Sequence, residues 1–258
     1  MTNIQYNSGA IDAPGCVGSG WELIKNNYWM YLGIAFVAYL MVSCIPIISL
    51  FLVGPTMVGI LYTLFREMRG EPVDFGMMFK GFEKFVPAMV VGLIQSIPVF
   101  FFTIIQWSMD LGRMFFLDDR FGAGRRGEPD LGPLAVFTGA YFAILFGYLA
   151  VAFVWSILFH FALPLVAEHE ISPVEAIKVS ISAASGNIGG LIFLMILKGL
   201  ILMAGAVMCG IGIFFVLPII YAANAVAYRQ VFPDLTPTVY RDVPPSPDVY
   251  GGTYGQGQ

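Results

Sequence analysis

YWMYLGIAFVAYLMVSCIPIISLFLVGPTMVGILYTLF (residues 28–65) runs thirty-eight residues without a charged side chain. As one helix it would reach about 57 Å, nearly twice the hydrocarbon thickness of a bilayer at roughly 30 Å. The stretch must therefore fold back on itself. Two breaks are available, Ser43-Cys44-Ile45-Pro46 and Gly54-Pro55. The reading is a pair of membrane helices, about 28–45 and 48–66.

The rest of the chain agrees with a membrane setting. Of 258 residues, 58% are hydrophobic and 12% charged, with mean hydropathy +0.78. Soluble domains carry about 25% charged residues. The apolar runs are continuous and do not alternate, which favours helices over a β-barrel. Net charge is −4, so no basic surface for nucleic acid is present. The first 27 residues lack the charged and apolar regions of a signal peptide. Cys16, Cys44 and Cys209 follow no pairing or metal spacing, and no motif for a cofactor occurs.

Four further spans are predicted: Val86–Gln106 with a kink at Pro98, one within Leu134–Val166, about Ile188–Met208, and about 213–228 after the turn CGIG (209–212). A polar loop covers Trp107–Gly132. The fold class is thus all-α, a polytopic membrane protein of about six transmembrane helices in three hairpins. Residues 1–11 read as a polar lead-in, 12–232 as one transmembrane domain, and 233–258 as a disordered Pro/Gly/Tyr-rich tail. PPSP (244–247) in that tail fits a ligand pattern for a cytosolic partner, against the plainer reading of a solvated tail.

Short amphipathic pieces separate the spans. Ser172-Pro173-Val174-Glu175 has the residues of a capped helix start, with proline at the first helical position and glutamate completing a capping box. Val174, Ile177, Ile181 and Ala184 then share a face. Glu71-Pro72-Val73-Asp74 opens a similar segment with Phe75, Met78, Phe79 and Phe82, and residues 12–25 give a Gly-rich version. All three are expected to lie in the cytoplasmic interface.

The two ends of the chain resemble each other. Arg66 follows Pro55 by eleven residues, as Arg229 follows Pro218. With the middle included, three units emerge, 12–70, 71–170 and 171–232, each an amphipathic helix followed by a helical hairpin. Lys25, Arg66, Arg69, Lys80, Lys84, Lys178, Arg229 and Arg241 fall on one side and four arginines on the other. The positive-inside rule then puts both termini in the cytoplasm.

GWELIKNN (20–27), LPLVAEHEISPVEAIKVS (163–180) and CGIGIFFVLPIIYAANAVAYRQVF (209–232) carry a resemblance. The plan resembles a group of mostly uncharacterised bacterial six-helix integral membrane proteins, similar to the membrane domain fused to some glycerophosphodiester phosphodiesterases. The resemblance covers about 12–232 and implies a fold and an inner-membrane location. The phosphodiesterase catalytic domain is absent, so no catalytic residue carries over.

Lys198 is the one charge inside a predicted span, and a charge at that depth is by default a functional hypothesis. With Gln95, Ser96 and Asn224 it would form a midplane polar site. The alternatives are snorkelling along its stem and a short or re-entrant helix; for the uncharged polar residues, plain interhelical bonding suffices. Arg66, Arg69, Lys80, Lys84, Lys178 and Arg229 are candidates for headgroup contact. His160, Glu168, His169 and Glu170 could gather a metal, but their spacing matches no motif, and a solvated connector explains them. No metal or catalytic residue is assigned.

The leading expectation is a non-enzymatic protein that organises, senses or moves a lipid or other amphipathic molecule. A transporter or channel with a site around Lys198 is the second reading. The third is an assembly subunit whose tail recruits a partner. Partners expected are the bilayer, a second copy or another membrane subunit, and a cytosolic protein at the tail.

Overall fold

The charge-free stretch of the N-terminal half breaks at the first of its two available places. In the computed structural model, which describes residues 4–43, 46–116, 132–208 and 210–233, helix α2 covers Tyr28–Ser43, and a separate helix α3 (Pro46–Met68) begins at Pro46. Gly54-Pro55 lies inside α3. The polar loop beyond residue 116, Cys209 and the tail from 234 are outside the described residues.

Before α2 comes α1 (Ala13–Ile24), joined by a 3-10 turn at Lys25–Asn27. After α3, a 3-10 segment (Phe75–Lys84) leads into α4 (Phe85–Phe116). Then follow α5 (Gly132–Leu158), α6 (Ala162–Glu168), α7 (Pro173–Ser185), α8 (Ile188–Val207) and α9 (Gly212–Val231). No strand occurs among the described residues.

Among the described residues five stretches are long and apolar enough to cross a membrane: Ser49–Met68, Phe75–Gly112, Thr138–Glu168, Ile188–Val207 and Gly212–Val231. This is a helical, multi-pass architecture. The sixth expected span, α2, is described over 16 residues. That makes about 24 Å of helix, short of a hydrocarbon core. The expected polar loop also begins later than predicted. Residues 107–116 continue α4, because nothing from Trp107 to Phe116 interrupts the helix except Gly112, which an interior turn tolerates.

The helix expected within Leu134–Val166 is two helices. Pro164 sits in the first turn of α6, where its missing N–H costs little. Its ring cannot share a helix with the carbonyl of His160, so the break falls at Phe159–Phe161. Side chains satisfy the freed backbone. Ser180 Oγ donates to Leu158 O at 2.8 Å and accepts from Phe161 N at 3.1 Å. Gln95 Nε2 donates to Phe159 O at 2.7 Å.

α6 is buried along its length from Ala162 to Ala167, and at its end Glu168, expected in a solvated connector, is 17% exposed. The helix packs with Phe65, Phe161 and Tyr228 in the main core. α3 and α9 meet there, with the Phe65 and Tyr228 rings 5.1 Å apart and the Arg229 guanidinium 4.7 Å over Phe65.

The amphipathic pieces pack closely on these helices. α7 starts as its sequence requires: Ser172 Oγ accepts from Glu175 N at 3.2 Å and Pro173 follows. Its buried face is Ala176, Ser180, Ala183 and Ala184, whereas Val174 is 60% exposed and Ile181 also faces outward. The segment after Asp74 is a 3-10 helix, with Asp74 Oδ1 accepting from Gly76 N at 2.7 Å. Gly81 rests on the backbone of Pro55 and Gly59, so a side chain there would push the segment off α3.

α1 lies in the groove between α8 and α9. Asp12 N donates to Gln230 Oε1 at 2.9 Å, Gly20 faces Ala223, and Tyr28 Oη donates to Phe215 O at 2.7 Å, so the chain runs antiparallel to α9. A Cβ on Gly20 would stand 2.8 Å from Ala223 N. The residues just before α1, expected as a polar lead-in, are clasped. Asn7 N donates to Val231 O, Gly9 N to Gly186 O, and Ala10 N to Asn187 Oδ1. Asn187 Nδ2 donates in turn to Asn7 O and Ala183 O, both at 2.9 Å.

Candidate lateral cavity

Two prolines and a helix break set the site. α4 carries Pro98 in its interior, and a proline cannot donate to the carbonyl four residues back. That carbonyl, Ile94 O, accepts instead from Trp155 Nε1 of α5 at 3.1 Å. Trp155 stacks on Phe159 at the break, with ring centroids 4.6 Å apart. The neighbouring turn of α4 supplies Gln95 to the break. α4 and the α5–α6 junction are thus tied together around open space.

That space is a cavity of about 370 Å³, within the range of small-molecule sites. Its polar lining comprises Gln95, Ser156, His160, Tyr221 and Asn224. Its walls are apolar, including Met57, Leu61 and Leu163. Val99 and Ser156 line it and are exposed, so it opens on the flank of the bundle. His160 Nε2 is buried and has no hydrogen-bond partner among the described residues.

Lys198 is the eleventh of the twenty residues of α8. Its Nζ donates to Asn224 Oδ1 at 2.6 Å. Asn224 is therefore a bridge, with the cavity on one side and an ammonium on the other. Of the four residues expected at a midplane level, Gln95 and Asn224 line the cavity and Lys198 stands behind Asn224. Ser96 turns away and donates to Gly92 O at 2.8 Å.

The six candidate headgroup residues are placed differently from one another. Arg66 and Arg69 both pair with Glu71 at 2.7 Å. The Arg69 hydrogen bond, helped by Arg66, holds the Glu71 carboxyl below its usual range. Lys80 pairs with Glu83 at 2.6 Å, and Lys178 is exposed on α7. Lys84 turns inward: its Nζ donates to Val166 O and Ala167 O at 3.1 Å, capping the negative end of α6. Arg229 pairs with Glu168 at 2.5 Å, and Glu168 also accepts from Tyr228 Oη at 2.7 Å.

The four residues considered for a metal are divided. His160 faces the cavity, Glu168 is engaged by Arg229, and His169 Nε2 stands 3.8 Å from Glu168. Among the described residues no group of three or more ligands could hold a metal ion. Cys16, on α1, donates to Gln230 Oε1 at 3.2 Å. Burial, with Asp12 nearby, pushes its thiol up to about 11.

Sequence reasoning did not assemble this cavity. The available signal was Pro98, whose freed carbonyl requires a donor from elsewhere, and Trp155 is an apolar-span residue able to give one. Tyr221 has no comparable signal, since one tyrosine in an apolar helix is ordinary.

No protein-family model, curated protein or solved structure matches the chain.

Proposed function

We propose that this protein binds an amphipathic molecule, foremost a lipid, drawn sideways from the bilayer, and holds or moves it without catalysing a reaction. One observation carries the reading: the 370 Å³ cavity joins a polar end at Gln95, His160 and Asn224 to an opening flanked by exposed Val99. A ligand entering there would keep its apolar part in hydrocarbon while its polar part finds partners. The exposed Val174 and Ile181 of α7 suit contact with acyl chains.

In this reading the protein resides in a bacterial inner membrane with both termini cytoplasmic. Its three units, 12–70, 71–170 and 171–232, descend from one repeated plan. The contact of Phe65 with Tyr228, residues that the repeat makes equivalent, supports that plan.

The test is photolabelling in nanodiscs with a diazirine-bearing phospholipid. Label should concentrate on peptides containing Gln95–Val99 and Ala152–His160, and Ala152→Phe should reduce it several-fold. Label spread evenly over the apolar surface and insensitive to Ala152→Phe would reject the reading.

A second reading, a transporter with its site at Lys198, is favoured by the Lys198–Asn224 hydrogen bond. Internal repeats and interrupted helices are frequent in transporters. Under this reading Lys198→Met would abolish flux of the transported solute in proteoliposomes, and flux at the parent rate in that variant would reject it.

A further inference from the structure

The lateral cavity has a continuation. A second groove of about 310 Å³ runs between α4 and α5 and shares Pro98 and Trp155 with the first. Its lining is apolar, with Phe101, Ile105, Ile144 and Val151 along it. Gly147 lies on this groove and has open space where a side chain would be. The stacked rings of Phe102 and Tyr148, 4.1 Å between centroids, form part of its wall. From Gln95 to Ile105 the α4 axis advances about 15 Å, so the combined space is long, narrow and polar at one end only.

The polar end has a sign. Asn224 accepts from Lys198 through Oδ1, which leaves its amide N–H₂ as a donor. Among the described residues no Asp or Glu lines either space. Among them, the one formal charge bonded to the lining is the ammonium behind Asn224. A cationic head would meet repulsion there, and an anionic head would meet a donor with a countercharge behind it.

We infer that the cavity takes a single-chain amphiphile with an anionic head, a long-chain carboxylate, seated with its head at Asn224 and its chain along the α4–α5 groove. This rests on the lateral-access reading and narrows its ligand class. One groove accommodates one chain. The head accepts from the Asn224 amide, and the unpartnered His160 Nε2 is a further polar atom of the same wall.

The experiment uses the full chain in phosphatidylcholine nanodiscs, photolabelled with a diazirine analogue of palmitate. Palmitate should compete about tenfold better than methyl palmitate, the size of one charge-assisted hydrogen bond. In Lys198→Met that preference should collapse toward unity, and Lys198→Arg should keep it. Gly147→Leu should weaken labelling by the long-chain probe several-fold and spare an octanoate analogue. Equal competition by acid and ester on the unsubstituted protein, which needs no variant to fold, overturns the anionic head. Competition by a diacyl phospholipid but not by palmitate overturns the single-chain class and leaves lateral access standing. Labelling indifferent to Gly147→Leu and absent from the cavity peptides overturns both.

Discussion

Trp155 Nε1 donates to the carbonyl of Ile94, the acceptor that Pro98 leaves without its helical partner. The contact joins α4 to α5 beside the cavity and offsets the backbone cost of a proline inside a long apolar helix. Trp155→Phe keeps the stacking on Phe159 and removes only the donor. An unsatisfied buried carbonyl costs about 1–3 kcal/mol. The variant should melt several degrees lower in detergent by fluorescence or light scattering, and an unchanged melting point would show that Ile94 O finds water instead.

Glu168 and Arg229 have side chains 17% and 15% exposed, and Tyr228 Oη also donates to Glu168. Removing one partner takes a largely buried ion pair from the other, at a cost on the order of 3 kcal/mol. Glu168→Gln and Arg229→Gln should each destabilise the fold strongly. The double variant should lose clearly less than the sum, because both single variants remove the same ion pair. Strict additivity in denaturation midpoints would mean the pair is not coupled.

Gly59 faces the carbonyl of Met78, and a Cβ at Gly59 would overlap it. Both atoms belong to backbone, so neither can swing aside. Gly59→Ala should cost about 1–3 kcal/mol by overpacking and loosen the Phe75–Lys84 segment. Gly112→Ala, with open space at its Cβ, should be neutral or slightly stabilising. The comparison is made by protease accessibility of the two variants at equal expression.

Glu71 has its carboxyl held below the ordinary range by Arg69 and then Arg66. The folded state therefore favours the ionised form. This contribution is fully present above the unfolded-state value, about 4.3, and is lost as pH falls through the lower folded value. The group is solvent-facing, so the effect is small. Acidification from neutrality should lower the melting point slightly more in the parent protein than in Glu71→Gln. Parallel pH curves would remove the linkage.

What the sequence revealed follows from how local each cause is. The start of α3 at Pro46 and the cap at Ser172 are written in adjacent residues, and both are found where those residues stand. The burial of α6 was not legible. Glu168, His169 and Glu170 read as a solvated connector because they are polar, but Glu168 is drawn in by Arg229, sixty-one residues away. The 3-10 winding after Asp74 likewise depends on Gly81 meeting Pro55 and Gly59. At the cavity, Lys198, Gln95 and Asn224 stood out as polar residues in apolar runs. Their geometry needed the break at Phe159–Phe161, which only the three-dimensional packing fixes as the place where Gln95 and Ser180 arrive.

The clasp around Asn187 has a consequence for biogenesis. Residues 7–10 bond to Gly186, Asn187 and Val231, and α1 rests between α8 and α9. Residues 7–24 thus receive their berth from two helices made well after them, α8 and α9. Until α9 is inserted, Gly20 and Cys16 have no surface to cover, and α1 must wait at the membrane with its small-residue face open. Docking of α1 therefore waits on the synthesis of α8 and α9, and an early-made helix is placed by late-made ones.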